Sequence, residues 1–263
     1  MTRRTTTDWD AETYDRLAAP QEAWARGVLE RLPLEGGETV LDAGCGSGRV
    51  TKLLLERLPD GRLIGVDGSP SMIETAGEAF EGDQRVTLIC SDLLALTPEL
   101  LREESGVESV DVVFSNATFH WIADHERLFR RLHGVLRPGG RLVAQCGGAG
   151  NVSSWREAVV TASGKEPFRE YVGDFSPWNF YEAEPTEQRL KRAGFTDARC
   201  WLQEVEPIVP EDPCDYVAVV GLSSHHERLP EELREPFIEA VTKSMPDPFE
   251  LRYIRLNIEA VRP

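Results

Sequence analysis

Four carboxylate or amide side chains stand where short apolar runs of the sequence end. Asp42, Asp67, Asp92 and Asn116 each lie at or just beyond such a run. In an open α/β sheet, ligands bind in the crevice outside the carboxyl ends of the parallel strands. Asp and Asn also cap helices and form turns, but four of them at equivalent positions favour a shared ligand site.

A glycine-rich loop follows Asp42. Its pattern is Gly44-x-Gly46-x-Gly48, whereas the dinucleotide fingerprint has its third glycine one position later, where this chain has Arg49. A carboxylate directly before the loop repels a pyrophosphate but attracts an ammonium group. S-adenosylmethionine carries an ammonium group and no phosphate, so the loop favours this cofactor over a nicotinamide dinucleotide.

The next two carboxylates suit the nucleoside part of such a cofactor. Asp67 follows the loop by about 20 residues, where a carboxylate can accept hydrogen bonds from both ribose hydroxyls. Asp92 ends the third apolar run and can accept a hydrogen bond from an adenine amino group. Met72 and Leu93 are placed to sandwich the base, although ordinary core packing accounts for Met72 equally well.

Alternating apolar strands and amphipathic helices carry these residues. Strands are predicted over 38–42, 62–67, 85–90, 110–114 and 141–145, and helices over 9–32 in two segments, from 49, over 69–80 and over 124–135. Helices near 153–164, 185–193, 212–224 and 230–244 and strands over 198–206 and 252–261 follow. Strands that alternate with helices indicate a parallel, doubly wound α/β sheet.

Composition restricts the partners. The 263 residues are enough for one large α/β domain, and the net charge of -16 disfavours nucleic acid and anionic membranes. We see no apolar run of the ~18 residues that a membrane helix needs and no apolar signal segment near Met1, so a cytoplasmic location is expected. The five cysteines lack metal-ligand spacing, and we expect reduced thiols and no metal site. The oligomeric state is left open.

Several segments together resemble the ordered motifs of class I S-adenosylmethionine-dependent methyltransferases. They are residues 40–48, 65–70, 91–93 and 136–140. The resemblance implies a Rossmann-like, mostly parallel seven-stranded sheet with a C-terminal antiparallel hairpin and helical lid insertions. It implies cofactor contacts from Asp42, Gly44, Cys45, Gly46, Gly48, Asp67, Gly68, Met72, Ser91, Asp92, Leu93 and Asn116.

Within that class, residues 114–124 resemble the trans-aconitate methyltransferase group, and also the malonyl-carrier-protein and juvenile-hormone-acid methyltransferases. These relatives methylate carboxylates. The resemblance implies an N-terminal helical segment over the cofactor site (1–34), a cofactor-binding core (35–147), and lid helices with the last two strands (148–263) within one domain.

The same resemblance places four side chains around the reacting methyl group: Trp9, Tyr14, His120 and Trp121. For Trp9 and Tyr14, core packing is an equally good interpretation. His120 can act as a base for a phenol, alcohol or amine, or as a hydrogen-bond donor that orients the substrate; a carboxylate needs no base.

Arg169, Arg252 and Arg255 are candidates for binding an anionic acceptor, and the aromatic segment 171–181 is a candidate lid over the pocket. Residues 115–118 lack the Pro-Pro tetrad of enzymes that methylate adenine or protein amides. The sequence therefore predicts methyl transfer to a small molecule, at a carboxylate or another oxygen. The alternatives are nitrogen or carbon methylation, a nicotinamide-dependent oxidoreductase, and a non-catalytic S-adenosylmethionine-binding protein.

Overall fold

The computed structural model describes residues 19–210 and 212–263, and a seven-stranded sheet forms its centre. The strands are β1 (Thr39–Ala43), β2 (Arg62–Asp67), β3 (Val86–Cys90), β4 (Val110–Asn116), β5 (Leu136–Gly147), β6 (Thr196–Glu204) and β7 (Ile254–Val261). Their order across the sheet is β3-β2-β1-β4-β5-β7-β6. The strands β1 to β5 are parallel, and β7 is antiparallel to both β5 and β6. This arrangement confirms the Rossmann-like, mostly parallel sheet with an antiparallel pair at its C-terminal end.

Helices connect the strands. They are α1 (Ala19–Glu30), α2 (Arg49–Leu55), α3 (Pro70–Ala79), α4 (Pro98–Ser105), α5 (His125–Val135), α6 (Ser153–Ser163), α7 (Arg169–Val172), α8 (Ala183–Arg192), α9 (Pro213–Val220), α10 (Ser223–His226) and α11 (Glu231–Lys243). Single 3-10 turns, Leu93–Ala95 and Phe119–Trp121, follow β3 and β4. The start of α3 is fixed by a capping Ser69 side chain and by Pro70, whose ring suits the first helical turn.

Both faces of the sheet are buried along β1, β2 and β4, as apolar parallel strands require. Val40 of β1 packs on the face covered by α1 and α2, in a core cluster that includes Leu54. The next residue, Leu41, points to the opposite face and joins a cluster with Leu128 of α5. The loops at the carboxyl ends of β1, β2 and β4 are thereby held by rigid elements on both sides.

A helical cap lies beyond β5 and consists of α6, α7, α9, α10 and α11. Its interior is built from large aromatic side chains, among them Trp155, Phe168, Trp178, Tyr216 and Phe237. The hydroxyl of Tyr216 lies 2.9 Å from that of Tyr253, just before β7, and joins the cap to the sheet. The helices α9 to α11 stand between β6 and β7 in the chain, which confirms the predicted insertion.

Three features differ from the sequence-based expectation. The strand β5 begins at Leu136 rather than at residue 141, because Leu136 already pairs with Val110. The helix predicted over 212–224 divides at Gly221, where a Cβ would lie 1.4 Å from the Trp155 ring. The helix α4 is not predicted, because so short an amphipathic segment gives a weak periodic signal.

Residues 1–18 lie outside the described part of the chain, and with them the predicted acceptor contacts Trp9 and Tyr14. The division of the chain at residues 34 and 147 stays a prediction. Over 19–210 and 212–263, we find no helix with the length and apolarity that crossing a membrane demands.

Candidate active site

The glycine loop turns sharply at the end of β1. The backbone N–H groups of Gly44 and Cys45 both donate to the Val66 carbonyl on β2, at 2.7 and 3.2 Å. The φ angles of Gly44, Gly46 and Gly48 are 88°, 54° and 86°. Residues other than glycine rarely adopt these positive values. The loop therefore needs glycine at each of these positions to keep its shape.

The three glycines differ in how closely other side chains approach them. A Cβ on Gly44 would lie 2.1 Å from Thr118 Oγ1, and one on Gly48 would lie 2.5 Å from the Phe80 ring. Beside Gly46, among the described residues, only one side-chain atom comes within 4 Å, at 3.9 Å. Gly44 and Gly48 are thus enclosed by the protein itself, whereas Gly46 forms the open side of the loop, where a ligand can approach the backbone.

Two carboxylates flank this loop. Asp42 is 2% exposed and accepts a hydrogen bond from Thr51 Oγ1 at 2.7 Å. Burial raises the pKa of Asp42 to about 7, and the nearby Asp67 adds to the shift while the Thr51 hydrogen bond opposes it. The two Asp67 oxygens accept backbone N–H groups of Gly46 and Ser69, at 3.0 and 2.9 Å. Because each carboxylate oxygen has two lone pairs, Asp67 keeps acceptor capacity for a diol.

Further predicted cofactor residues lie at the ends of β1, β2 and β3. Burial raises the pKa of Asp67 as well, although its backbone hydrogen bonds, including one from Gly68, lower it. The backbone N–H of Ser91 donates to the Asp67 carbonyl at 2.9 Å. The Cys45 side chain is buried 3.0 Å from where a Gly65 Cβ would stand, and burial raises the pKa of its thiol well above the ordinary value. The side chain of Cys45 thus packs beneath the loop, and its predicted cofactor contact stays a prediction.

The residues predicted to hold an adenine base lie in two places, Met72 beside the glycine loop and Asp92 and Leu93 at the turn after β3. Met72 is buried on α3, and its sulfur is the atom nearest to the open side of Gly46. Asp92 accepts the Leu94 N–H at 2.8 Å and so caps the 3-10 turn after β3. Leu93 is buried in the core cluster beneath that turn.

The end of β4 lies against the glycine loop. Asn116 is the last residue of β4 and is largely buried. Ala117 follows with φ of 59°, an uncommon conformation for a residue with a side chain, and its N–H donates to the Gln145 carbonyl at 2.8 Å. Thr118 Oγ1 then donates to the Gly44 carbonyl at 3.2 Å. The strained turn thereby fixes the position of the segment that follows.

That segment carries His120, which is only 8% exposed. Its Nδ1 accepts the backbone N–H of Gly147 at 3.3 Å, and its carbonyl accepts the Asn179 N–H at 2.8 Å. The rings of Trp121 and Phe180 lie 5.0 and 5.6 Å from the imidazole, measured between centroids. His120 is therefore held at the junction of β4, β5 and the segment that follows the cap helix α7.

The protonation state of His120 follows from these contacts. A backbone N–H can only donate, so Nδ1 is unprotonated and the neutral ring carries its proton on Nε2. Burial lowers the pKa of His120 well below 6.5, and the positive charge of Arg255 lowers it further. At neutral pH, His120 is therefore an uncharged hydrogen-bond donor.

The predicted lid segment 171–181 covers this region. Besides the contact of Phe180 with His120, Trp178 lies 6.5 Å from Trp121 between ring centroids. Tyr181 Oη donates to the Ala123 carbonyl at 2.8 Å. The segment thus packs directly on the 3-10 turn that holds His120.

Of the three candidate arginines, only Arg255 lies in this region. The side chains of Arg169 and Arg252 are exposed, and Arg252 Nε pairs with Glu250 at 2.6 Å. Arg255 is 3% exposed and sits on β7 directly opposite Gly147.

A row of polar side chains crosses the sheet on the face that α1 covers. The strand registers place Asp42, Asn116, Gln145, Asn257 and Arg255 on this same face. Gln145 Nε2 donates to Asn257 Oδ1 at 2.8 Å, and Arg255 Nε donates to Gln145 Oε1 at 3.3 Å. The row joins an acidic end at β1 to a basic end at β7.

Comparison with known proteins identifies the family. A family model described as a methyltransferase domain matches residues 41–144. A trans-aconitate 2-methyltransferase of Delftia acidovorans is 30% identical over 248 residues, which are 88% of this chain and 87% of that protein. The chain belongs to the class I S-adenosylmethionine-dependent methyltransferases, in the trans-aconitate group.

Other relatives match this methyltransferase over a shorter segment. A trans-aconitate 2-methyltransferase of Azoarcus sp. (strain BH72) is 39% identical over 137 residues, 52% of this chain and 50% of that protein. The match thus spans about half the length of that relative, and the same holds for similar proteins of other bacteria. Phosphoethanolamine N-methyltransferase 2 of Haemonchus contortus, solved with S-adenosyl-L-methionine, has a TM-score of 0.62 and is 20% identical, covering 96% of this chain and 56% of that chain. That likeness shows the shared fold.

S-adenosylmethionine is the cofactor of this family, and the loop of the methyltransferase fits it. The open side of Gly46 admits a ligand against the backbone, and the carboxylates of Asp42 and Asp67 suit its ammonium and ribose hydroxyl groups. In the described part of the chain, no three His, Cys, Asp or Glu side chains come together in a way that could hold a metal ion.

Several residues of the methyltransferase site are not predicted from the sequence, among them Thr51, Gln145 and Asn179. Thr51 and Asn179 carry no signal, because their roles depend on hydrogen bonds to Asp42 and to the His120 carbonyl that form only in the folded chain. Gln145 does carry one, since it is a polar residue at the end of an otherwise apolar strand.

Proposed function

We propose that this methyltransferase transfers the methyl group of S-adenosylmethionine to a carboxylate oxygen of a small-molecule acceptor. The observation that carries the proposal is the hydrogen bond from the Gly147 N–H to His120 Nδ1. It leaves His120 with its proton on Nε2, where the ring can donate a hydrogen bond to an acceptor oxygen but cannot take up a proton.

Among the described residues, His120 offers the acceptor a donor and not a base, which suits an acceptor that is already ionised. Carboxylic acids have pKa values of about 4, so at neutral pH they are nucleophiles without losing a further proton, whereas phenols, alcohols and ammonium groups must first lose one. The names of the similar Delftia acidovorans and Azoarcus proteins, trans-aconitate 2-methyltransferases, support a carboxylate acceptor.

The cofactor supplies a methyl group activated by a positive sulfonium. The protein must then hold the acceptor in line with that methyl group and exclude water, which is an orientation effect. Asp42, Asp67 and the open side of Gly46 hold the cofactor on β1 and β2. His120 donates from Nε2 to the carboxylate oxygen that is not methylated, and Trp121 and the segment 171–181 shield the reacting groups from water.

Two further predictions belong to this proposal. The acceptor also contacts Trp9 and Tyr14, and the protein works in the cytoplasm. Nitrogen or carbon methylation, and cofactor binding without turnover, are the alternatives that the experiment must separate.

The test is incubation of the purified protein with S-adenosylmethionine and trans-aconitate, with a phenol, an aliphatic amine and an enolisable ketone in parallel reactions. We expect a methylated product only from the carboxylic acid, detected by mass spectrometry and lost after mild alkaline hydrolysis, because esters saponify. An alkali-stable product from the amine or the ketone would show nitrogen or carbon methylation. Binding of S-adenosylhomocysteine without any product would indicate a non-catalytic protein.

A further inference from the structure

Gly147, the last residue of β5, lies directly against an aromatic ring. A Cβ on Gly147 would stand 2.5 and 2.9 Å from Cε1 and Cδ1 of Phe180. Gly147 does not have the positive φ of the loop glycines after β1. Glycine is therefore needed at this position because the Phe180 ring occupies the space of a side chain, and not because of the backbone conformation.

The same ring packs on the imidazole to which Gly147 donates. The centroids of Phe180 and His120 are 5.6 Å apart, with 33° between the ring planes. The guanidinium carbon of Arg156, on the cap helix α6, lies 5.3 Å from the centre of the Phe180 ring. Phe180 thus contacts both partners of the hydrogen bond from the Gly147 N–H to His120 Nδ1, and it also packs against the cap.

Backbone hydrogen bonds on both sides of Phe180 fix its position. The N–H of Asn179 donates to the His120 carbonyl at 2.8 Å. The carbonyl of Tyr181 accepts the N–H of Ala149 at 3.0 Å. The first bond ties the segment to the turn after β4 and the second ties it to the loop after β5, so the Phe180 ring is held between these two elements.

The imidazole of His120 needs such a support. The torsion that rotates a histidine ring has a broad, roughly two-fold profile, and a half-turn exchanges the positions of Nδ1 and a carbon atom. The distance from the Gly147 N to Nδ1, 3.3 Å, is at the long end of the hydrogen-bond range, so this bond alone restrains the ring weakly. The bond selects one of the two orientations, and close packing of Phe180 on one side and Trp121 on another opposes rotation away from it.

We propose that Phe180 is a positioning residue for methyl transfer, which keeps the His120 ring turned with Nδ1 on the Gly147 N–H and with Nε2–H available to the acceptor. This assignment rests on the proposed function, in which His120 donates from Nε2 to the carboxylate oxygen that is not methylated. Phe180 acts only through His120. Its loss leaves the acceptor less well aligned with the methyl group, which is a loss of orientation.

The first measurement is nitrogen-15 NMR of the histidine rings in the full-length protein without ligands, at pH of about 7.5, where the ring is neutral. Protonated and unprotonated ring nitrogens have widely different chemical shifts, and exchange between tautomers averages them. In the wild type we expect His120 to carry its proton on Nε2 alone, with its signals identified by their loss in His120→Gln. Phe180→Leu should move both signals towards averaged values, whereas Phe180→Tyr, which keeps the ring, should not.

The second measurement is the kinetics of trans-aconitate methylation by the same variants. We expect Phe180→Leu to lower kcat roughly tenfold or more, with KM for S-adenosylmethionine unchanged, and Phe180→Tyr to restore most of the rate. Phe249→Leu is the matched control, because Phe249 is also a partly buried ring that packs against the interior of the cap. Among the described residues, the rings that contact His120 are those of Trp121 and Phe180, so Phe249→Leu should keep the wild-type signals and kcat.

The two measurements together decide the assignment. Unchanged His120 signals in Phe180→Leu would overturn it whatever the activity, and averaged signals with a wild-type kcat would overturn it as well. The same change in Phe249→Leu would point to general loosening of the cap and would also count against it. If Phe180→Leu does not fold, Gly147→Ala displaces the ring instead, and unchanged signals in that variant would contradict the proposal. Averaged signals in Phe180→Leu, without methylation by the wild type, would refute the proposed function while supporting Phe180 as the residue that orients His120.

Discussion

The backbone N–H of Gly147 donates to His120 Nδ1 at 3.3 Å, and this single bond assigns the imidazole proton to Nε2. Gly147 is the last residue of β5, whereas His120 lies in the turn after β4. The end of β5 therefore determines which nitrogen of His120 carries the proton, although His120 itself lies outside both strands. A donor at this position is compatible with an acceptor that arrives ionised.

Cofactor affinity should depend on pH through Asp42. The pKa of Asp42, raised to about 7 by burial, means that this carboxylate is partly protonated at neutral pH before the cofactor binds. We expect affinity for S-adenosylhomocysteine to increase from pH of about 6 to about 7.5 as Asp42 ionises, because an ionised carboxylate attracts the ammonium group of the ligand. Calorimetry across this range measures the effect.

Two variants sharpen this test. Asp42→Asn should bind the cofactor more weakly and without that pH dependence. Thr51→Val removes the hydrogen bond that lowers the pKa of Asp42, so the midpoint of the dependence should move to higher pH. A wild-type affinity that stays constant over the range would contradict the assignment of Asp42.

Asp67 should contribute to cofactor binding through its remaining lone pairs. We expect Asp67→Ala to weaken binding of S-adenosylhomocysteine by about 1 to 3 kcal/mol, because hydrogen bonds of a charged acceptor to the ribose are lost. Asp212→Ala is the control, since Asp212 also accepts a local backbone N–H, from Asp215, but does so at the start of the cap helix α9. An Asp67→Ala affinity equal to that of the wild type would refute the ribose role.

Substitutions of two loop glycines should have different effects on cofactor affinity and on protein stability. Gly48→Ala places a Cβ against Phe80, and we expect it to lower the melting temperature clearly. Gly46→Ala has open space in the free protein, so it should cost only about 1 to 2 kcal/mol of stability from its backbone conformation while cofactor affinity falls strongly. Thermal melts with and without S-adenosylhomocysteine compare the two, and equal loss of affinity in both would argue against an open side at Gly46.

Stability should fall in mild acid partly because of His225. This residue of the cap is fully buried beside Phe175 and Phe237, and burial lowers its pKa to about 3. An unfolded histidine has a pKa of about 6.5. Below that pH the unfolded chain binds a proton that the folded chain does not, so this residue's contribution to stability decreases as pH falls from 6.5 towards 3.

His225→Phe should flatten that dependence. Neither ring nitrogen of His225 has a hydrogen-bond partner among the described residues, so a phenyl ring replaces the imidazole without losing one. Melting temperatures at pH of about 7.5 and about 5 measure the difference. The same pH difference in wild type and variant would show that His225 does not contribute.

The cofactor half of the site can be predicted from the sequence because its information is local. The glycine spacing, the carboxylates of Asp42 and Asp67 and the alternation of strands and helices all lie within short windows. The family resemblance covers the same part of the chain, and the sheet confirms the expected order of elements.

The acceptor half needs the tertiary structure. Arg255 comes close enough to His120 to lower its pKa only because β7 pairs with β5 and sets Arg255 opposite Gly147. No periodicity in the sequence distinguishes Arg255 from the exposed Arg252. The tautomer of His120 also depends on Gly147, a bond between residues that are far apart in the chain.

The most direct test of the account is the pH profile of kcat for methylation of trans-aconitate, with both substrates saturating so that binding steps do not contribute. We predict a rate that is constant from pH of about 6 to about 8.5, because the acceptor is ionised throughout and His120 stays neutral. A rate that rises about tenfold per pH unit to a plateau would reveal a required base. That result would contradict methyl transfer to a carboxylate that His120 only orients.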